Sequence, residues 1–170
     1  MSVITNDYEA YLFIKNHLLN QGEKAMNPGE DCQYRGYKEE TMEMLRENSG
    51  FYDYDSDYND KAYDLFYDLL AEIKPDASCA VGCLILDQFY DQNLEGTVIE
   101  LENGIMDAVR KSNPVWKITE KSYRMLKVLQ SIHDAKEVKN WETHLNNLDG
   151  YFDAYNDFLS EIEEERQNGY

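Results

Sequence analysis

Cations are scarce in this chain: 16 lysines and arginines stand against 34 aspartates and glutamates in 170 residues, a formal net charge of -18 at pH 7. That deficit argues against a direct nucleic-acid binder, whose footprint is a basic face, and against docking on an anionic membrane surface. A basic partner fits better. Cysteine is scarce too: Cys32, Cys79 and Cys83 are too few, and odd in number, for a disulfide framework. There is no charged-then-apolar leader and no apolar run of about 18 residues, so the expectation is a soluble, intracellular protein. Also missing are a glycine-rich phosphate loop, H-E-x-x-H and G-x-S-x-G, so no catalytic residue and no cofactor is implied. What the chain has instead is 13% aromatic residues among plentiful Leu and Ile, which argues for a folded core despite the charge. Its length is that of one domain burying about two thirds of the unfolded surface.

One run is free of charge. Ser78-Cys79-Ala80-Val81-Gly82-Cys83-Leu84-Ile85-Leu86 reads as the buried centre. A short core helix capped by Ser78 is the favoured reading, although a buried strand fits a run this short equally well. The rest reads as helices around it. Asn6 and Glu9 have capping-box spacing for a helix with Tyr8, Tyr11, Leu12, Lys15, Leu18 and Leu19 along one side, ending near Gly22. Asn27-Pro28-Gly29 turns the chain into an extended segment or loop at 32–37. Lys38 to Asn48 is a second helix, with Met42 and Leu45 inward, stopped by Ser49-Gly50. A third helix carries Ala62, Leu65, Phe66, Leu69, Leu70 and Ile73 up to Pro75. Gly96-Thr97 with Glu100 marks another start, for a helix holding Leu101, Ile105 and Val109. Asn113-Pro114 breaks the chain again, and Thr119 caps a helix with Tyr123, Leu126, Leu129 and Ile132 inward. Last comes a heptad seam, Val138, Trp141, Leu145, Leu148, Phe152, Tyr155, Leu159 and Ile162, on a long helix from about residue 139 to 165 with Gly150 off the seam. Its aromatic seam residues favour packing within one chain over a homodimeric coiled coil. The expectation is an all-α, single-domain helical bundle with a long C-terminal helix.

Three constellations could carry chemistry. Cys79 and Cys83 lie one helical turn apart, but the paired C-x2-C spacing of a zinc site is absent and buried cysteines act as small hydrophobes, so no metal is expected. Cys79, with the distant His133-Asp134 pair as base and orienter, supplies the parts of a thiol hydrolase without a spacing that brings them together. Arg35 in Tyr34-Arg35-Gly36 is either an anion hook or the neutraliser of a nearby carboxylate.

The acidic residues carry the clearest pattern. Asp60, Asp64 and Asp68 recur every four residues on the third helix, and Asp149, Asp153, Asp157 and Glu161 on the last. Such like-charge pairs each destabilise a helix by about 0.2–0.5 kcal/mol. From Glu39 to Asp68 ten carboxylates, Asp53, Asp55 and Asp57 among them, stand against Arg46 and Lys61. Rows of carboxylates about 6 Å apart resemble, electrostatically, the phosphates of a duplex. The alternative is internal pairing, because Arg110 to Lys139 holds eight cations against three carboxylates.

The elements Cys32-Gln33-Tyr34-Arg35-Gly36 and Cys79-Ala80-Val81-Gly82-Cys83-Leu84-Ile85, with Asp87, Tyr90 and Glu95-Gly96, and later Leu129-Gln130, His133-Asp134 and Trp141, resemble a family of small, uncharacterised bacteriophage-encoded proteins. The resemblance implies a phage origin. About forty residues separate the two cysteine elements here, where the family holds them close, and the acidic C-terminal stretch also departs from its pattern. Together these features lead to the expectation of a non-enzymatic inhibitor of the bacterial host cytoplasm. It would bind the basic, nucleic-acid-binding surface of a host defence or transcription protein as a nucleic-acid mimic. The residues expected to bind are Asp53, Asp55, Asp57, Asp60, Asp64, Asp68, Asp149, Asp153, Asp157 and Glu161. Two readings stay open beside it: a small-ligand or nucleotide sponge around Tyr34, Arg35 and Gly82, and a cysteine-dependent hydrolase.

Overall fold

A computed structural model describes residues 3–28, 33–51 and 60–152. Helices dominate them, and the fold is all-α, with a single two-stranded antiparallel pair. Helix α1 (Asp7–Gln21) starts where the Asn6 side chain accepts from the Glu9 amide at 2.9 Å, and it stops at Gly22, whose φ of 67° ends the helix in the left-handed region. The Glu9 carboxylate reaches back one residue further than a capping box requires, to the Thr5 amide and hydroxyl. Its buried face is Ala10, Tyr11, Ile14 and Leu18, so the stripe is rotated from the expected line: Leu19 is exposed and Lys15 turns toward Asp149.

The central run is buried as expected but is not a helix. Ala77–Ser78 is a strand, β2, antiparallel to β1 (Arg35–Gly36), and only Gly82–Leu84 makes a 3-10 turn. Burying irregular backbone requires partners for its polar groups, and here side chains supply many of them. Gln21 both accepts from the Ser78 amide and donates to the Ser78 carbonyl, and Gln130 accepts from Val81. Asn113 donates to the Leu84 carbonyl, Arg35 to that of Ile85, and the Ser112 hydroxyl accepts from Leu86. A run that is apolar in its own side chains therefore depends on polar side chains elsewhere in the chain.

Helix α4 (Gly104–Ser112) begins later than expected. Asn103, not Thr97, caps it, accepting from the Met106 amide while its Nδ2 donates to the Val98 carbonyl. Thr97 instead closes a turn onto Leu94 beside Gly96, whose φ is 71°. Helix α5 (Glu120–Ala135) starts at a reciprocal box between Thr119 and Ser122 and buries Leu126, Leu129, Ile132 and His133. A 3-10 turn at Val138–Asn140 then leads into α6, helical from 141 to 152. Trp141, Leu145 and Phe152 are buried, whereas Val138 and Leu148 are half-buried at the rim. The seam packs on its own chain: Tyr11 stacks on Phe152 with ring centroids 4.7 Å apart and donates to the Leu145 carbonyl at 2.7 Å, and Trp141 lies against the His133 ring. The remaining seam positions, Tyr155, Leu159 and Ile162, fall outside the described residues.

Helices α2 (Glu39–Ser49, ended by left-handed Gly50) and α3 (Asp60–Glu72) pack chiefly on each other, and among the described residues they add no buried side chain to the main core. Their own small cluster is Met42, Leu45 and Phe66, flanked by Phe51, Tyr67, Leu69, Leu70 and Ile73. Leu65, expected inward, is exposed, because the α3 face that meets α2 is centred on Ala62 and Phe66. The two strands join this pair to the body. Gly36 and Ala77 are direct partners across the β1–β2 ladder, so the forty residues between them leave and re-enter the body at one point.

Candidate functional site

The α2–α3 arm presents acid to solvent. Glu39, Glu40, Glu43 and Glu47 on α2, and Asp60, Asp64, Asp68 and Glu72 on α3, are all exposed. Among the described residues only Glu39 of these eight is ion-paired, to Arg46 at 3.1 Å. The basic segment from Arg110 to Lys139 lies elsewhere and takes none of them: Arg110 pairs with Asp107, Arg124 with Glu120 and Lys139 with Glu137. Met44 and Leu65 lie exposed among the carboxylates, adding apolar area to the charged surface. The four glutamates and Glu72 were not among the expected contact residues. Their signal was present, since Glu39, Glu43 and Glu47 repeat the four-residue step and Glu72 continues the row from Asp60.

The C-terminal row reads differently where it is described. Asp149 is engaged within the chain: its carboxylate, which stays partly exposed, accepts from the Lys15 ammonium at 2.6 Å and from the Tyr11 hydroxyl, and these hydrogen bonds hold it below the usual carboxylate range. It ties α6 to α1. Asp153, Asp157 and Glu161 lie outside the described residues, as do Asp53, Asp55, Asp57 and Cys32.

Tyr34 and Arg35 are held in place by the chain itself. The Glu95 carboxylate accepts from both of their amides, at 2.9 and 3.0 Å, and from the Tyr90 hydroxyl at 2.7 Å. The Tyr34 ring is buried and its hydroxyl donates to the Thr97 carbonyl. Arg35 stacks over the Tyr90 ring and pairs with Asp87 at 2.6 Å, an exposed carboxylate whose pKa this guanidinium lowers. A cleft of about 320 Å³ beside them is lined by His17, Gln21, Ser78, Asp76 and Asp87. Its polar groups are already engaged. Gln21 and His17 hold Ser78, and Asp76 accepts from the Lys38 amide and the Thr41 hydroxyl.

Cys79 and Cys83 are buried, and burial pushes the Cys79 thiol up to about 12, so almost none of it is thiolate at neutral pH. The Cys83 thiol donates to the Ala80 carbonyl instead. His133 is fully buried, its Nδ1 2.9 Å from Asp134 and its ring against Trp141, the arrangement of a core histidine. Among the described residues no group of three or more His, Cys, Asp or Glu is placed to hold a metal ion. No described helix is long and apolar enough to cross a membrane. In comparisons with known proteins, no family model, curated protein or solved structure matches this chain.

Proposed function

We propose that this protein is a non-enzymatic inhibitor of the bacteriophage type, acting in the host cytoplasm by holding a basic, nucleic-acid-binding surface of a host protein against the carboxylates of α2 and α3. The observation that carries the proposal is the arm itself: seven exposed carboxylates without an ion-pair partner among the described residues, on two helices set apart from the main core. Solubility alone is served by mixed charge, and the like-charge spacing within each helix costs stability that a purely structural helix has no reason to spend. Basic channels that hold nucleic acid in defence or transcription proteins offer the complementary field, and steering by such a field speeds encounter. The likeness of the Tyr34-Arg35-Gly36 and Cys79–Ile85 elements to phage-encoded proteins gives that host its setting. Asp149, which the sequence groups with this surface, is left out of the proposed contact because it pairs with Lys15 on α1. Capture from bacterial lysate by the wild-type chain, compared with a chain carrying Asp60→Lys, Asp64→Lys and Asp68→Lys, tests the proposal: a partner held equally by both is not held by the arm.

A further inference from the structure

We infer that the α2–α3 arm is a charge-strained folding unit of its own, which opens while the body stays folded and stiffens when its carboxylates are neutralised. None of the buried residues of the main core comes from α2 or α3, and the arm's cluster of Met42, Leu45 and Phe66 draws on no residue of the body helices. The arm is also closed on itself at its base, where Asp76, following α3, accepts from the Lys38 amide and the Thr41 hydroxyl at the start of α2. Among the described residues its ties to the body include the β1–β2 ladder, the Met26–Tyr37 bridge, and Glu23, which accepts from the Glu39 amide and stands 4.0 Å from the Lys38 ammonium. A unit with so small a core sits at the low end of local stability.

Charge lowers it further. Eight carboxylates and two cations lie on α2 and α3. Five like-charge pairs stand four residues apart: Glu39–Glu43, Glu43–Glu47, Asp60–Asp64, Asp64–Asp68 and Asp68–Glu72. Each favours the open arm, and whatever neutralises them, be it salt, protons or a polycationic surface, favours the closed one by linkage. The inference goes beyond the proposed function, since it concerns the arm alone and holds whatever the partner is.

Amide hydrogen exchange on the full-length chain tests it, at about 0.01 M and about 1 M NaCl, where the screening length falls from about 30 to about 3 Å. The expected result is that the amides of Leu45 and Phe66 exchange well before those of Leu129 and Leu145. Salt should slow the arm amides by on the order of tenfold, the combined weight of five such pairs, with a much smaller change in the body. The isosteric double variant Asp64→Asn with Asp68→Asn should show part of that slowing without salt. Arm and body amides exchanging together, or arm exchange indifferent to both salt and the double variant, would overturn the inference.

Discussion

Gly82 lies directly against the Tyr34 backbone: a Cβ on Gly82 would collide with the Tyr34 carbonyl oxygen and stand 2.6 Å from its carbonyl carbon. The obstacle is main chain that also accepts from the Cys79 amide, so it cannot rotate away as a side chain would. Gly82→Ala should therefore cost more than about 3 kcal/mol or prevent folding altogether. Gly150→Ala is the control: among the described residues nothing lies within 4 Å of that Cβ, and the change within α6 should be neutral or stabilise by up to about 1 kcal/mol. Denaturation followed by tryptophan fluorescence reads both, and a Gly82→Ala protein as stable as wild type would show that the two segments are not in contact.

The seam of α6 makes a graded prediction. Leu145 is fully buried in the main core, and Leu145→Ala should cost about 2–5 kcal/mol through the cavity it leaves. Leu148 is half-buried at the rim of a groove beside Met125 and Val128, so Leu148→Ala should cost clearly less than Leu145→Ala. Equal denaturation midpoints for the two variants would mean that the seam is oriented differently.

Asp149 is expected to act as a fastening. Removing it leaves Lys15, whose side chain is 15% exposed, without its carboxylate and the Tyr11 hydroxyl with one acceptor fewer. Asp149→Ala should destabilise by about 1–2 kcal/mol, part of the usual worth being lost to screening because the carboxylate is partly solvated. Lys15→Met should cost less in the Asp149→Ala background than alone. Additive losses in that double-mutant cycle would show that the pair is not coupled.

Acid should loosen the clip between α1 and β2. His17 is packed against Ser78, its Nε2 3.0 Å from the Ser78 carbonyl, and burial lowers its pKa below the ordinary 6.5. The folded state then binds fewer protons than the unfolded one. The stability His17 contributes is complete above pH 6.5 and is lost as pH falls from there through the lowered folded value. Between about pH 7.5 and about pH 5.5 the denaturation midpoint of wild type should fall further than that of His17→Gln. Parallel pH profiles would mean that His17 titrates equally in both states.

Much of the helical framework is legible in the sequence because local chemistry decides it. Asn6, Gly22, Gly50 and Thr119 act where their residue types predict, and the heptad steps from Trp141 to Phe152 foretell the α6 face. What local chemistry does not decide is harder to read. The Ser78–Leu86 run looks helical or extended on its own, and distant Gln21, Arg35, Gln130, Ser112 and Asn113 are among the partners that allow most of it to be neither. The start of α4 went to Asn103 over Thr97 because Asn103 satisfies groups on both sides of itself. For the acidic rows, spacing showed that carboxylates share a helix face but not what that face meets. The α3 row faces solvent, whereas the described member of the α6 row, Asp149, faces Lys15.

If α2 and α3 occupy a surface of the host protein made for nucleic acid, as proposed, the two ligands must compete for the captured partner. The host protein bound to the wild-type chain should be released by duplex DNA or by RNA and by raising salt from about 0.05 to about 0.5 M, since the contacts are exposed charges. It should fail to bind when Asp60, Asp64 and Asp68 are replaced by lysine, even though the variant's Leu45 and Phe66 amides stay as protected from exchange as those of the wild type. A partner that holds nucleic acid and this protein at the same time, or that binds the reversed-charge chain as tightly as wild type, would contradict the account.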